Sequence, residues 1–142
     1  MENASTMQKS STSELIHAAM ELARHRFPNE DTCVAALKTE TGRVLTSVWV
    51  EASVDSACLC AETGAICEAH KLNERVIASA CIYWKADTQA IKILPACGVC
   101  QERLAFWGLD IEIAVPNQES EGTWQFLVLR QLRPFYWNDE IK

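Results

Sequence analysis

The sequence predicts an α/β fold, a three-layer α-β-α sandwich built on one mixed five-stranded sheet. Three observations predict it. Helical and strand-like stretches alternate in the order α-β-β-α-β-α-β-β, which calls for one sheet covered by helices on both faces. Of 142 residues, 49% are hydrophobic, enough for one sizeable core in one domain. Two strand-like runs, Cys33 to Leu37 and Arg43 to Val50, flank Thr39-Glu40-Thr41-Gly42, which reads as a hairpin turn.

Taken in order, residues 1–11 are polar and read as a disordered tail, leaving 12–142 as the domain. Ser11-Thr12-Ser13-Glu14 fits a capping box, with Ser11 as N-cap and Glu14 reaching back. The helix that follows carries Leu15, Ala18, Ala19 and Leu22 on one face. It should end near Arg26, because Phe27-Pro28-Asn29 breaks the pattern. Beyond the hairpin, Glu51 to Ala57 is small and polar, a loop. Leu59 to Leu72 is a second helix, with Glu62, Ile66 and Ala69 on one side and Asn73 as its stop. Val76 to Trp84 is β-branched and apolar, a buried strand. Lys85 to Ala90 is a polar loop, and Ile91 to Leu94 a short apolar run feeding Pro95. Gly98 to Trp107 is a third helix, ended by Gly108. Asp110 to Val115 and Thr123 to Leu129 are strands, and a helical turn from Arg130 to Arg133 precedes Pro134.

Composition excludes several classes of function. Net charge is −6 and no Lys/Arg cluster is present, which argues against a nucleic-acid polymer and for a small-molecule partner. No apolar run is long enough to span a bilayer, so no membrane role is expected. The polar N-terminus lacks the apolar core of a secretory signal, and the expected location is cytoplasmic. Seven cysteines, an odd number without an export signal, argue against a disulfide framework. Cys33 and Cys81 lie in the apolar runs CVAAL and IASACIYW and read as small core residues. Cys67 reads as core rather than ligand, and His17, His25 and His70 as surface or core positions on helices.

Two short pieces carry the chemistry: Cys60-Ala61-Glu62 and Cys97-Gly98-Val99-Cys100. Zinc takes thiolates readily, and a catalytic zinc keeps three protein ligands and one open position. Cys60 and Cys97 each stand at the start of a helix, where backbone N–H groups and the dipole favour thiolates. Glu62, two residues after Cys60, can reach the open position without being a ligand. That suits a group that moves protons between water, a ring nitrogen and a leaving amine. On spacing alone three readings stand. One is catalytic zinc. Another is a closed structural zinc, with Cys58 or His70 as fourth ligand, in a non-catalytic domain. The third is a redox pair at Cys97 and Cys100.

The paired motif resembles the C-A-E and C-G-x-C of the cytidine deaminase family in its three-cysteine zinc form, over about residues 12 to 137. The likeness leans toward the blasticidin S deaminase-like members. It implies a zinc-dependent hydrolytic deaminase of a cytosine-type nucleoside, with one Zn2+ per subunit held by Cys60, Cys97 and Cys100. Glu62 would shuttle protons during attack at C4, with release of ammonia. The resemblance also implies that the Ala61 N–H holds the ring's 2-oxo group and that a carbonyl near Pro95 accepts from the exocyclic amine. Glu51, nine residues before Cys60, would hold the ribose hydroxyl. Three positions depart from the pattern. Trp49 stands where nucleoside enzymes carry a ribose-binding asparagine, and Ala96 where the family has proline. Thr63 replaces an arginine of some three-cysteine enzymes, with Arg103 as the candidate substitute. The C-terminal LRQLRPFYW is similar to the blasticidin S deaminase tail, which implies that Phe135, Tyr136 and Trp137 close over the substrate. Family members of this size usually form homotetramers whose neighbouring subunits complete the active sites.

Overall fold

A computed structural model describes the backbone of residues 4–141, with side chains from Ser13 onward. Helix α1 spans Ala4–Arg26, α2 Thr63–Leu72, α3 Gly98–Leu104 and α4 Leu129–Leu132. The strands are β1 Thr32–Thr39, β2 Val44–Val48, β3 Val76–Lys85, β4 Ala90–Leu94, β5 Glu112–Pro116 and β6 Trp124–Val128. Five strands follow the path β2-β1-β3-β5-β6, and β4 pairs with β3 off that path. The sheet is mixed: β3 and β5 run parallel at Ala78↔Glu112 and Ser79↔Ile113, and the other pairs are antiparallel.

The sixth strand corrects the expectation of a five-stranded sheet, in which Ile91 to Leu94 is a short apolar run feeding Pro95. A turn over residues 86–89 folds Ala90–Leu94 back on β3, pairing Cys81↔Leu94 through Lys85↔Ala90. One flank of β3 is thereby shared, with β5 at its N-terminal half and β4 at its C-terminal half. The signal was weak because Gln89, not glycine or asparagine, takes the left-handed conformation in this turn, at φ 56°. The helical start is also corrected. The backbone is helical from Ala4, so Ser11 lies within α1 and is not its N-cap. Residues 1–3 of the expected tail lie outside the described residues.

Strand alternation divides the core into two layers. Val34 and Ala36 of β1, with Ala78, Ala80, Ile82 and Trp84 of β3, pack against Leu15, Ile16, Ala19 and Ala23 of α1. On the opposite face Ala35, Leu37 and Cys81 pack against Ala65, Ile66 and Ala69 of α2 and Cys100 and Leu104 of α3. Helix α2 stops where expected: Asn73 adopts the left-handed conformation, and its N–H reaches the Ala69 and His70 carbonyls. No helix among the described residues is long and apolar enough to cross a membrane.

Trp84 is fully buried against α1, and its Nε1–H donates to the Phe27 carbonyl at 3.0 Å, tying the end of α1 to the sheet. We expect Trp84→Ala to cost about 3–5 kcal/mol from cavity formation and loss of that bond. Trp84→Phe should cost less, and urea unfolding of the two variants measures the difference.

Candidate active site

The layer holding α2 and α3 also holds the two motifs. After β2 the chain closes a loop through an antiparallel bridge between Val50 and Leu59. Cys58 serves this loop. Its thiol accepts from the Ala52 N–H at 3.4 Å and lies 3.7 Å from the Ala52 carbonyl. Cys60 and Ala61 then lead into α2, with Glu62 at the N-cap position. The helix starts at Thr63, later than the sequence suggests, so the first motif occupies a turn. The second motif is delivered by β4 through Pro95 and Ala96. Cys97 is the N-cap of α3, and Cys100 lies in its first turn. The Gln101 side-chain amide donates to the Ala96 carbonyl at 2.8 Å and braces that connection.

The three sulfurs of Cys60, Cys97 and Cys100 lie within 4.8 Å of one another. Cys60 Sγ is 3.4 Å from Cys97 Sγ, and Cys100 Sγ is 3.4 Å from Glu62 Oε2. A zinc ion sits about 2.3 Å from each thiolate, which sets tetrahedral sulfurs ~3.8 Å apart. The observed cluster matches that scale, and the donor set suits zinc. The proposed fourth ligands are elsewhere. Cys58 is engaged in its loop, and His70 stacks on Trp107 and Phe106 at 4.5 and 4.7 Å between ring centroids. Among the described residues, the side chains gathered closely enough to hold a metal ion are therefore Cys60, Cys97 and Cys100.

Burial shapes the thiols' acidity. Cys100 is fully buried, and desolvation, reinforced by the Glu62 carboxylate, pushes its pKa far up. Burial also raises Cys60. At Cys97 burial is outweighed by the Cys100 and Val99 backbone N–H groups and the neighbouring thiols, which hold it below its ordinary value. The expected help from a helix start thus acts at Cys97. It does not prevail at Cys60, which lies before the helix proper.

A cavity of about 130 Å³ opens beside these groups, lined by Cys60, Ala61, Glu62 and Cys97 together with Trp49, Pro95, Leu94, Cys33 and Cys81. Trp49, Ala61 and Pro95 are thus brought together with the cysteines. Glu51 instead lines an adjoining groove of about 610 Å³, which shares Cys33 and Trp49 with the cavity and includes Tyr83. Arg103 donates to Thr63 Oγ1 at 2.8 Å, joining α3 to α2. The tail aromatics are not at the cavity. Tyr136 is buried, and its hydroxyl donates to Glu102 at 2.9 Å. Trp137 Nε1 reaches the same carboxylate at 3.2 Å, and Phe135 is exposed.

Several positions escaped the sequence reading. Cys33 is half-buried and faces the cavity rather than a closed core, and Cys67 is exposed. Strand alternation held the clue for Cys33, which shares a face with Ala35 and Leu37 on the α2 side of β1. Glu102 was not singled out, yet it latches the tail, also accepting from Arg133 at 2.9 Å. The Tyr136 hydroxyl, offset only partly by burial, and the Trp137 and Arg133 donors hold the Glu102 carboxyl below its ordinary range. A lowered carboxyl pKa contributes stability above the unfolded value and loses it as pH falls through the folded one. We therefore expect acid below the usual glutamate range to release the tail, and Glu102→Ala to release it at neutral pH. Limited proteolysis across residues 133–141 reads both.

No family model matches the chain. A cytidine deaminase of known structure from Bacillus anthracis is 36% identical and superposes with a TM-score of 0.83, covering 91% of each chain. The cytidine deaminase from Mycobacterium tuberculosis, 23% identical, shares the fold at a TM-score of 0.67 over 88% of this chain and 95% of that one. A blasticidin-S deaminase from Bacillus cereus is 24% identical over 107 residues, 72% of this chain and 76% of that protein. With over a third of its residues shared across nine-tenths of the Bacillus anthracis enzyme, and with a three-thiol cluster beside Glu62, the chain belongs to the cytidine deaminase family.

Proposed function

We propose that this protein is a zinc-dependent hydrolytic deaminase that converts a cytosine-type nucleoside, either blasticidin S or a cytidine or deoxycytidine-like compound, to its uracil form. The observation that carries this reading is the buried Glu62 carboxylate, 3.4 Å from Cys100 Sγ, in a cavity that also contains Cys60 and Cys97. Cys60, Cys97 and Cys100 would hold one zinc ion per subunit. Zinc supplies Lewis acidity when bound, making water nucleophilic near neutral pH.

The remaining steps fall to the chain. Glu62 accepts a proton from the attacking water and delivers it to ring N3. It then passes the second proton to the amine leaving C4, so that water and cytosine become uracil and ammonia. Such proton transfer requires a carboxylate within hydrogen-bond reach of the reacting atoms, and burial strengthens each of its interactions. The cavity is on the scale of one heteroaromatic ring. Trp49 and Pro95 supply walls, and the Ala61 N–H and a carbonyl near Pro95 supply complementary donor and acceptor. Glu51, in the adjoining groove, takes the polar group carried on the ring's N1.

A homotetramer belongs to the same reading. Tyr136 and Trp137 are held against α3 of their own subunit, so a role in closing over substrate requires a neighbour's cavity. Light scattering measures the assembly. The functional test is a panel of cytidine, deoxycytidine and blasticidin S with ammonia release as readout. Turnover of at least one is expected, and none from any of them would refute the substrate assignment.

A further inference from the structure

Glu62 occupies the N-cap position of α2 but makes no side-chain cap hydrogen bond. Its carboxylate is turned toward Cys100 Sγ instead. The first turn of a helix leaves backbone N–H groups without intrahelical partners, and an N-cap side chain normally receives one from the N2 or N3 residue. In α2 the N3 group is the Ala65 N–H. It donates to Ser47 Oγ at 3.0 Å, a hydroxyl on β2, eighteen positions earlier in the chain. The same hydroxyl donates its own proton to the Ala61 carbonyl at 2.5 Å. Ser47 thus holds the first turn of the helix and the peptide that joins Ala61 to Glu62.

Gly64 makes this approach possible. A Cβ at position 64 would lie 2.9 Å from Ser47 Cβ, closer than real Cβ contacts allow, so a side chain there would force strand and helix apart. The arrangement has a chemical logic. A carboxylate that caps its own helix is committed to a backbone N–H and is not available to a reacting molecule. A cap borrowed from the adjacent strand removes that conflict.

We propose that Ser47 is a positioning residue. It caps α2 from β2, releases Glu62 from capping, and locks the Ala61–Glu62 peptide that sets where the carboxylate points. Its effect on turnover rests on the functional reading above; the cap itself does not.

The test combines amide exchange with kinetics on the zinc-loaded protein. Ser47→Ala keeps the Cβ packing and removes both hydrogen bonds. Exchange of the Ala65 amide should speed about tenfold. Zinc content and KM should stay near wild type, while kcat falls about ten- to hundredfold, the scale of a small misplacement of a reacting group. Ser47→Thr, which retains the hydroxyl, should restore Ala65 protection and most of kcat. Gly64→Ala, which keeps Ser47 but crowds it, should reproduce the kinetic loss and serves if Ser47→Ala does not fold. Unchanged Ala65 exchange in Ser47→Ala overturns the proposal. So does a loss of kcat matched by an equal loss of zinc. If the wild type releases no ammonia from any cytosine nucleoside, the functional reading fails. The cap is then judged on Ala65 exchange alone, which upholds it if accelerated and overturns it if unchanged.

Discussion

Glu62→Gln should lower turnover of the proposed cytosine-type substrate about 10²–10⁴-fold, the usual contribution of a positioned general acid–base group, without lowering the zinc content expected of the three-thiol site. The substitution is nearly isosteric, which matters because Glu62 is 3% exposed and packs among the residues that carry the metal motif. A smaller residue would leave a cavity and confound chemistry with packing. Glutamine keeps the volume and an acceptor oxygen, and loses the ability to take up a proton. It also removes a negative charge that now helps to push the Cys100 thiol up. Metal retention should therefore be undiminished. The measurement is ammonia release alongside zinc content on the same sample. Full activity in Glu62→Gln would exclude the proton shuttle. A loss of activity with a matching loss of zinc would mean that the carboxylate supports the metal site instead.

The pieces that could be read from sequence are those whose physics is local. The apolar spacing in α1, the apolar run of β1 and the asparagine after α2 each follow from two or three neighbouring residues, as does Gly108, although α3 itself ends at Leu104 and a 3-10 turn over Ala105–Trp107 carries the chain to that glycine. Cys60, Cys97 and Cys100 could be grouped from the sequence because few residue types hold a metal, and their sulfurs do lie within 4.8 Å of one another. Spacing left catalytic, structural and redox roles open, and the family resemblance pointed to the first, with Glu62 beside the thiols. What escaped depends on contacts between distant segments. Strand β4 exists because β3 extends past β5 and leaves a flank to be paired, and no residue in 90–94 announces that. Ser47 looks like an ordinary polar strand residue until the first turn of α2 is set against it. Glu102 reads as a surface helix residue, yet it receives donors from Arg133, Tyr136 and Trp137, more than thirty positions away. Tyr136 and Trp137 were assigned to substrate by likeness of the tail, and within one chain that tail instead serves α3.

With zinc held by the three thiols as proposed, chelating it should lower the melting temperature on the order of 10 °C. Binding at about a thousandfold excess over Kd stabilises a fold by roughly 4 kcal/mol, and a chain of this size shifts by a few degrees per kcal/mol. The effect should be large because the three thiols and Glu62 converge from two segments on the α2 and α3 side of the sheet, and Cys100 is wholly buried among them. Without a cation, burial favours protonated thiols at Cys60 and Cys100. Metal uptake must then release protons, so affinity should fall as pH is lowered, and the stabilisation with it. Cys100→Ser should abolish tight zinc binding and bring the melting temperature to that of chelated wild type. Cys67→Ser, at an exposed position on α2 outside the cluster, should leave both zinc content and melting unchanged. Calorimetry with and without chelator at two pH values tests each part. An unshifted transition after chelation, or zinc retained by Cys100→Ser, would mean that these three thiols do not form the centre, and the chemistry assigned to Glu62 would lose its metal partner.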